Sequence, residues 1–161
     1  MSVAHEICET EHKGRRARGA PEQQARVLIV DDIPDNCALL AVLCEQLGLA
    51  VECVEDGREA VNAARTGGFD VILMDIFMPR MDGLEATRMI RSLNDRTAQT
   101  PIVAVTTAAE PGHVLHYLEC GMNAVIAKPI VPSRIAEVLS KVLGRPLSRA
   151  KRARAPSRKA A

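Results

Sequence analysis

Five short apolar runs constrain this chain more than any other feature: VLIV (Val27 to Val30), VECV (Val51 to Val54), VILM (Val71 to Met74), IVAV (Ile102 to Val105) and AVIA (Ala124 to Ala127). Each has the length and β-branching of a strand buried on both faces. Helical patterns fill the gaps. Cys37, Leu40, Cys44 and Leu47 recur at i, i+3, i+7 and i+10, with Pro34 near the start and Gly48 past the end. Ile135, Val138, Leu139, Val142 and Leu143 repeat the pattern before Gly144. Gly57 to Thr66, Gly83 to Leu93 and Gly112 to Cys120 are read as the remaining helices. Five strand-helix units in about 120 residues predict a doubly wound α/β fold, a parallel sheet with helices on both faces. In such a fold, ligands sit beyond the carboxyl ends of the strands.

Those ends carry the chemistry. The first run stops at Asp31-Asp32, the third at Asp75, the fourth at Thr106-Thr107, the fifth at Lys128-Pro129, and the second at the less ordered Glu55-Asp56-Gly57. Three carboxylates within about 5 Å repel by several kcal/mol per pair at an effective dielectric near 20, so positive charge must sit among them. Lys128 supplies one unit. A hard divalent cation supplies two more, and Mg²⁺ typically takes one or two carboxylates while keeping room for waters and phosphate oxygens. An ionised aspartate can also be a nucleophile that takes up a phosphoryl group as an acyl phosphate, its charge held by cation, lysine and threonine hydroxyl.

Taken singly, each element has a plain structural reading. Asp31 and Asp32 suit helix capping, Asp75 a turn before Pro79 and Lys128-Pro129 a solvated loop, Thr106 a strand end. These separate readings do not explain why all four elements fall at strand carboxyl ends of one sheet.

Asp31-Asp32, VILMDIFMPRMDGLEATRMIR around the third strand, Thr106, and Lys128-Pro129 together resemble the receiver domain of two-component response regulators, over Arg26 to Gly144. The resemblance implies a flavodoxin-like sheet of order 2-1-3-4-5. It implies that Asp75 is phosphorylated by a histidine kinase or histidine phosphotransfer protein. Mg²⁺ would be held by Asp32, Asp75 and the backbone carbonyl of Phe77, with Asp31 acting through water. Thr106 and Lys128 would bind the phosphoryl oxygens, and Pro129 would follow a cis bond. The wording MPRMDGLEATRMIR is most similar to receivers fused to hybrid sensor kinases and points to a phosphorelay. Three positions depart from the usual pattern: Val125 where an aromatic is usual, Thr107 where Ala or Gly is usual, and Phe77 flanking the acceptor. Phe77 is expected to shield an acyl phosphate from water. Val125 implies that activation moves the loop after the fourth strand, and its helix, in place of a ring on the fifth strand.

Composition bounds the alternatives. The chain has 161 residues, 47% hydrophobic and 25% charged, as for one domain with modest extensions. No apolar run approaches a membrane span and no secretion signal opens the chain, so a soluble, cytoplasmic protein is expected. The five cysteines are odd in number and set in apolar patterns, which reads as core thiols in a reducing compartment. Residues 1–25 read as a flexible extension, in which His5, Cys8 and His12 lack a fourth zinc ligand. Residues 26–144 carry ten basic and sixteen acidic residues, a net charge of −6. Residues 145–161 carry seven basic residues and no acid, which reads as a disordered tail. That tail leaves open a second reading, a DNA-associated regulator. A base-stacking surface is excluded by having only Phe69, Phe77 and Tyr117 as aromatics. An enzyme that turns over external substrates is disfavoured. Phosphohydrolases with an aspartate nucleophile typically carry a second Asp where Phe77 stands, GxxxxGK[ST] is absent, and Asp31-Asp32 would repel a flavin phosphate.

Overall fold

The computed structural model describes residues 24–147; the readings made for residues 1–23 and 148–161, including His5, Cys8 and His12, lie outside the described residues. Five parallel strands, β1 (Arg26–Val30), β2 (Ala50–Val54), β3 (Val71–Asp75), β4 (Ile102–Thr106) and β5 (Ala124–Ala127), pair in the order β2-β1-β3-β4-β5. Helices α1 (Pro34–Gln46), α2 (Gly57–Thr66), α3 (Gly83–Arg91), α4 (Pro111–Glu119) and α5 (Pro132–Val142) follow the strands in turn. This is the expected doubly wound architecture.

Alternation along the central strands builds a core on each face of the sheet. Leu28, Val30, Ile72, Met74, Ile102 and Ala104 pack with Ala60, Val61 and Ala64 of α2 and Ala86 and Ile90 of α3. Val27, Ile29, Val71, Leu73, Val103 and Val105 turn the other way, onto Cys37, Leu40 and Cys44 of α1 and Ile135, Val138 and Leu139 of α5. The register pairs Val27 with Val71 and Leu73 with Val103, so like-facing residues stack into continuous layers.

The structure corrects several details. β2 and β5 are edge strands and only partly buried, because each has a partner on one side alone. Neither Asp31 nor Asp32 caps α1: the N-cap is Ile33, without a side-chain cap bond, and Pro34 opens the helix. Carboxylate caps occur instead at α2 and α3, where Asp56 accepts from the Glu59 amide and Asp82 from the Glu85 amide. α3 ends at Arg91, short of Leu93, where the Ser92 hydroxyl turns back to the Met89 carbonyl. A 3₁₀ turn over Arg96–Gln99 follows, which apolar periodicity does not signal. The folded body also runs past Gly144. The Leu147 amide donates to the Ser140 hydroxyl and Leu147 packs on the α1/α5 core, so residues 145–147 belong to the domain and not to a tail.

The cysteines divide. Cys37 and Cys44 are buried, and burial pushes both thiols up to about 12; Cys53 is exposed and Cys120 half-buried. All four are free, and Cys8 lies outside the described residues.

Candidate functional site

Asp31, Asp32 and Asp75 meet at the carboxyl pole of the sheet, with one oxygen of each within 4.8 Å of the others. The strands dictate this. β1 and β3 are adjacent, so carboxylates just past Val30 and at the end of β3 share one crevice. β5 lies one strand beyond β4, and the Lys128 amide donates to the Thr106 carbonyl, which fixes where the lysine begins. From there its ammonium spans the crevice, 2.8 Å from Asp31 Oδ2 and 3.5 Å from Asp75 Oδ1.

The three acids are held differently. Asp31 is fully buried and its carboxylate is saturated: Oδ1 accepts from the Ile33 amide and from Asn36 Nδ2, and Oδ2 accepts from Asn36 Nδ2 and Lys128. Asp32 is half-buried and makes no hydrogen bond with a described residue. Asp75 is buried, with Lys128 and the Ile76 amide as its stabilising partners among the described residues. Burial, countered by Lys128 and reinforced by Asp31, holds its carboxyl above the usual carboxylate range. Three acids with one cation are a hard-oxygen donor set, and the set fits a divalent cation of the Mg²⁺ type. Asp32 and Asp75 have oxygens to give it. Asp31, occupied by protein donors, suits contact through water.

Glycine is required beside Asp75. The Gly83 amide donates to the Ile76 carbonyl at 2.9 Å, and a Cβ on residue 83 would collide with the Asp75 carbonyl. The turn of MDG thereby packs backbone on backbone and pins the carboxyl end of β3. Arg80, in the left-handed region at φ 69°, reaches back to Asp56 at 2.9 Å and ties the loop after β3 to the loop after β2.

The remaining expected positions sit around this centre. Thr106 is buried at the end of β4, its hydroxyl accepting from the Ala108 amide at 3.2 Å. Thr107 and Pro129 are exposed, and the Lys128–Pro129 bond is cis. Phe77 is 60% exposed between buried Ile76 and Met78, so its side chain projects from the loop after β3. Val125 is half-buried against the core that contains Tyr117. Two residues escaped sequence reasoning. Asn36 holds both oxygens of Asp31, and its only signal is an amide on the first turn behind Pro34. Tyr117 is buried on α4, where it reads as an ordinary core position.

Because burial raises Asp75's proton affinity, its charge burdens the fold. A carboxyl whose folded pKa is raised favours folding below the ordinary carboxylate range, and that contribution disappears as pH rises through the folded value. Asp75→Asn should therefore raise the melting temperature at pH 7.5 without divalent cation, by a few degrees. The gap should close as pH falls and the wild-type acid protonates. Thermal melts across pH 4 to 8 check this, and a gap that does not vary with pH would refute it.

A doubly wound sheet with an acid triad, a bridging lysine and a buried threonine at its carboxyl pole defines a receiver-type domain. The sequence profile of the response regulator receiver domain matches residues 27–140, and the chain belongs to that family. It is similar to the sensor histidine kinase GacS of Pseudomonas protegens, 39% identical over 137 residues, covering 81% of this chain and 15% of that protein. It is similar to the signal transduction histidine-protein kinase BarA of Escherichia coli, 42% identical over 113 residues, covering 70% of this chain and 12% of that protein. The chain thus spans less than a sixth of these curated relatives. Among solved structures it matches the receiver domain of sensor histidine kinase PA1611 from Pseudomonas aeruginosa, described with a magnesium ion coordinated in its active-site cleft. That match has a TM-score of 0.70 and 35% identity, and covers 75% of this chain and 98% of that one. Chemotaxis protein CheY4 of Vibrio cholerae matches at a TM-score of 0.69 and 32% identity, covering 74% and 98%. No helix among the described residues is long and apolar enough to cross a membrane.

Proposed function

We propose that this receiver takes a phosphoryl group onto Asp75 from a phosphohistidine donor, a histidine kinase or histidine phosphotransfer protein, and acts in the cytoplasm as a switch or a relay step. The observation that carries this reading is the placement of Asp75 between two further acids and a lysine that reaches two of the three. An oxygen of ionised Asp75 forms the new bond to phosphorus while the bond from phosphorus to the imidazole nitrogen breaks, and the imidazole leaves with a proton from solvent. Lys128 and the Thr106 hydroxyl would bind the transferred oxygens. Asp32, Asp75 and the Phe77 carbonyl would hold Mg²⁺, with Asp31 acting through water; bound there, the cation supplies charge neutralisation for the incoming phosphoryl group. The reaction is on the protein itself and turns over no external substrate.

The donor is a protein because the crevice has an apolar rim. Ile33, Phe77 and Val131 stand on the loops after β1, β3 and β5, and each is half or more exposed. Leu39 and Val42 are further exposed apolar side chains, on α1. An apolar helical face bearing the phosphohistidine would cover this rim. The DNA-associated alternative rests on residues outside those described.

Phosphotransfer tests the reading. Incubated with Mg²⁺ and a labelled phosphohistidine phosphotransfer protein, the chain should acquire label that alkali releases, as an acyl phosphate requires. Label on a histidine, or none, would overturn it.

A further inference from the structure

Tyr117 is the largest fully buried side chain among the described residues, and it is the chain's one tyrosine. It sits on α4, inside the core that also takes Val125. Its ring is flanked on its own helix by His113, stacked at 6.3 Å between centroids, and by His116 at 6.5 Å. Its hydroxyl leaves that apolar setting to donate to the Ala108 carbonyl at 3.0 Å. The amide of the same Ala108 donates to the Thr106 hydroxyl oxygen at 3.2 Å. One residue therefore bridges Thr106 and Tyr117: its N–H serves the threonine and its C=O serves the tyrosine.

We propose that Tyr117 is the positioning residue that couples Thr106 to α4, so that the state of the acid crevice is passed to the helix through the Ala108 peptides. The proposal rests on the reading of Asp75 as phosphoryl acceptor. With the site empty of phosphoryl, Ala108 holds the Thr106 hydroxyl oxygen against the loop. When that hydroxyl turns to a phosphoryl oxygen on Asp75, its geometry toward the Ala108 amide changes. Ala108 then moves, and its carbonyl is the one acceptor shown among the described residues for a buried phenol, which is costly to strand. Tyr117 must follow or break its bond, and either event reaches α4. β5 does not carry such a link, because Val125 has neither a ring nor a polar atom.

The chain has one tyrosine and no tryptophan, so tyrosine emission reports Tyr117 alone. In the full chain with Mg²⁺ and acetyl phosphate, emission should change in step with phosphoryl uptake followed by intact mass. Thr106→Val, compared at equal phosphoryl occupancy, should reduce that change severalfold. In Tyr117→Phe, which keeps the ring, the amide NMR shifts that phosphorylation induces at His113 and Leu118 should fall to less than half their wild-type size. Equal emission changes in Thr106→Val, or undiminished shifts in Tyr117→Phe, would each overturn the coupling. If wild type takes up no phosphoryl mass, the assignment of Asp75 falls instead, a separate and recognisable failure.

Discussion

Lys128→Met should destabilise the fold by about 3 kcal/mol at pH 7.5 without divalent cation, a loss of about 10 °C in melting temperature. The size follows from what the lysine leaves behind. Its ammonium is 2.8 Å from a carboxylate whose side chain is 1% exposed and 3.5 Å from a second that is 6% exposed. Removing one partner from such a cluster strands buried charge, a far larger effect than losing a surface pair, which is typically worth 0.2–1 kcal/mol. Asp31 keeps its bonds from Ile33 and Asn36, so the heavier burden falls on Asp75, whose carboxyl is already pushed up by burial. Two results should accompany the loss. Mg²⁺ should restore part of the melting temperature, because its charge replaces the lysine's by mass action. A second substitution, Asp75→Asn, should also recover stability, because it removes the buried charge left without its lysine and adjacent charges in one network do not act additively. Circular dichroism melts of the single and double variants, with Mg²⁺ or a chelator, measure both. A single-variant loss below about 1 kcal/mol would mean that Lys128 behaves as a surface charge and does not hold the crevice together.

The same cluster shows which parts of the molecule were legible in sequence. The central strands were, because VLIV, VILM and IVAV bury both faces and leave no polar position to blur their ends. The edge strands were read as equally buried although Glu52 stands in the middle of β2, because a short run cannot say how many neighbours it has. The site's polar members were visible for a different reason: each ends a strand or follows close behind one, so strand polarity alone puts Asp31, Asp32, Asp75, Thr106 and Lys128 at one pole. Residues that serve these members through side-chain reach were not visible. Asn36 acts five residues beyond Asp31, across a helix start, and Tyr117 acts on Ala108 from the second turn of α4. Neither spacing is distinctive, and in a helix both residue types have commoner uses. Gly83 falls between these cases. It was legible as the start of a helix, while its direct packing on the Asp75 backbone appears only when β3 and α3 are brought together.

Departures from the family pattern gain meaning in the same way. Val125 leaves β5 without a ring, and the buried aromatic of this region is supplied from α4 by Tyr117 in the same core. Phe77, two residues past Asp75, is exposed on the loop after β3, one of the apolar side chains proposed to meet a protein donor.

The central claim is that Asp75 is a phosphoryl acceptor, and intact mass tests it most directly. The full chain is incubated with Mg²⁺ and acetyl phosphate, a donor that brings no protein interface of its own. Wild type should gain the mass of one phosphoryl group, lose it on treatment with alkali, and show no gain when a chelator removes the cation. Asp75→Asn should gain none. An unchanged wild-type mass, or an equal gain in Asp75→Asn, would contradict the account.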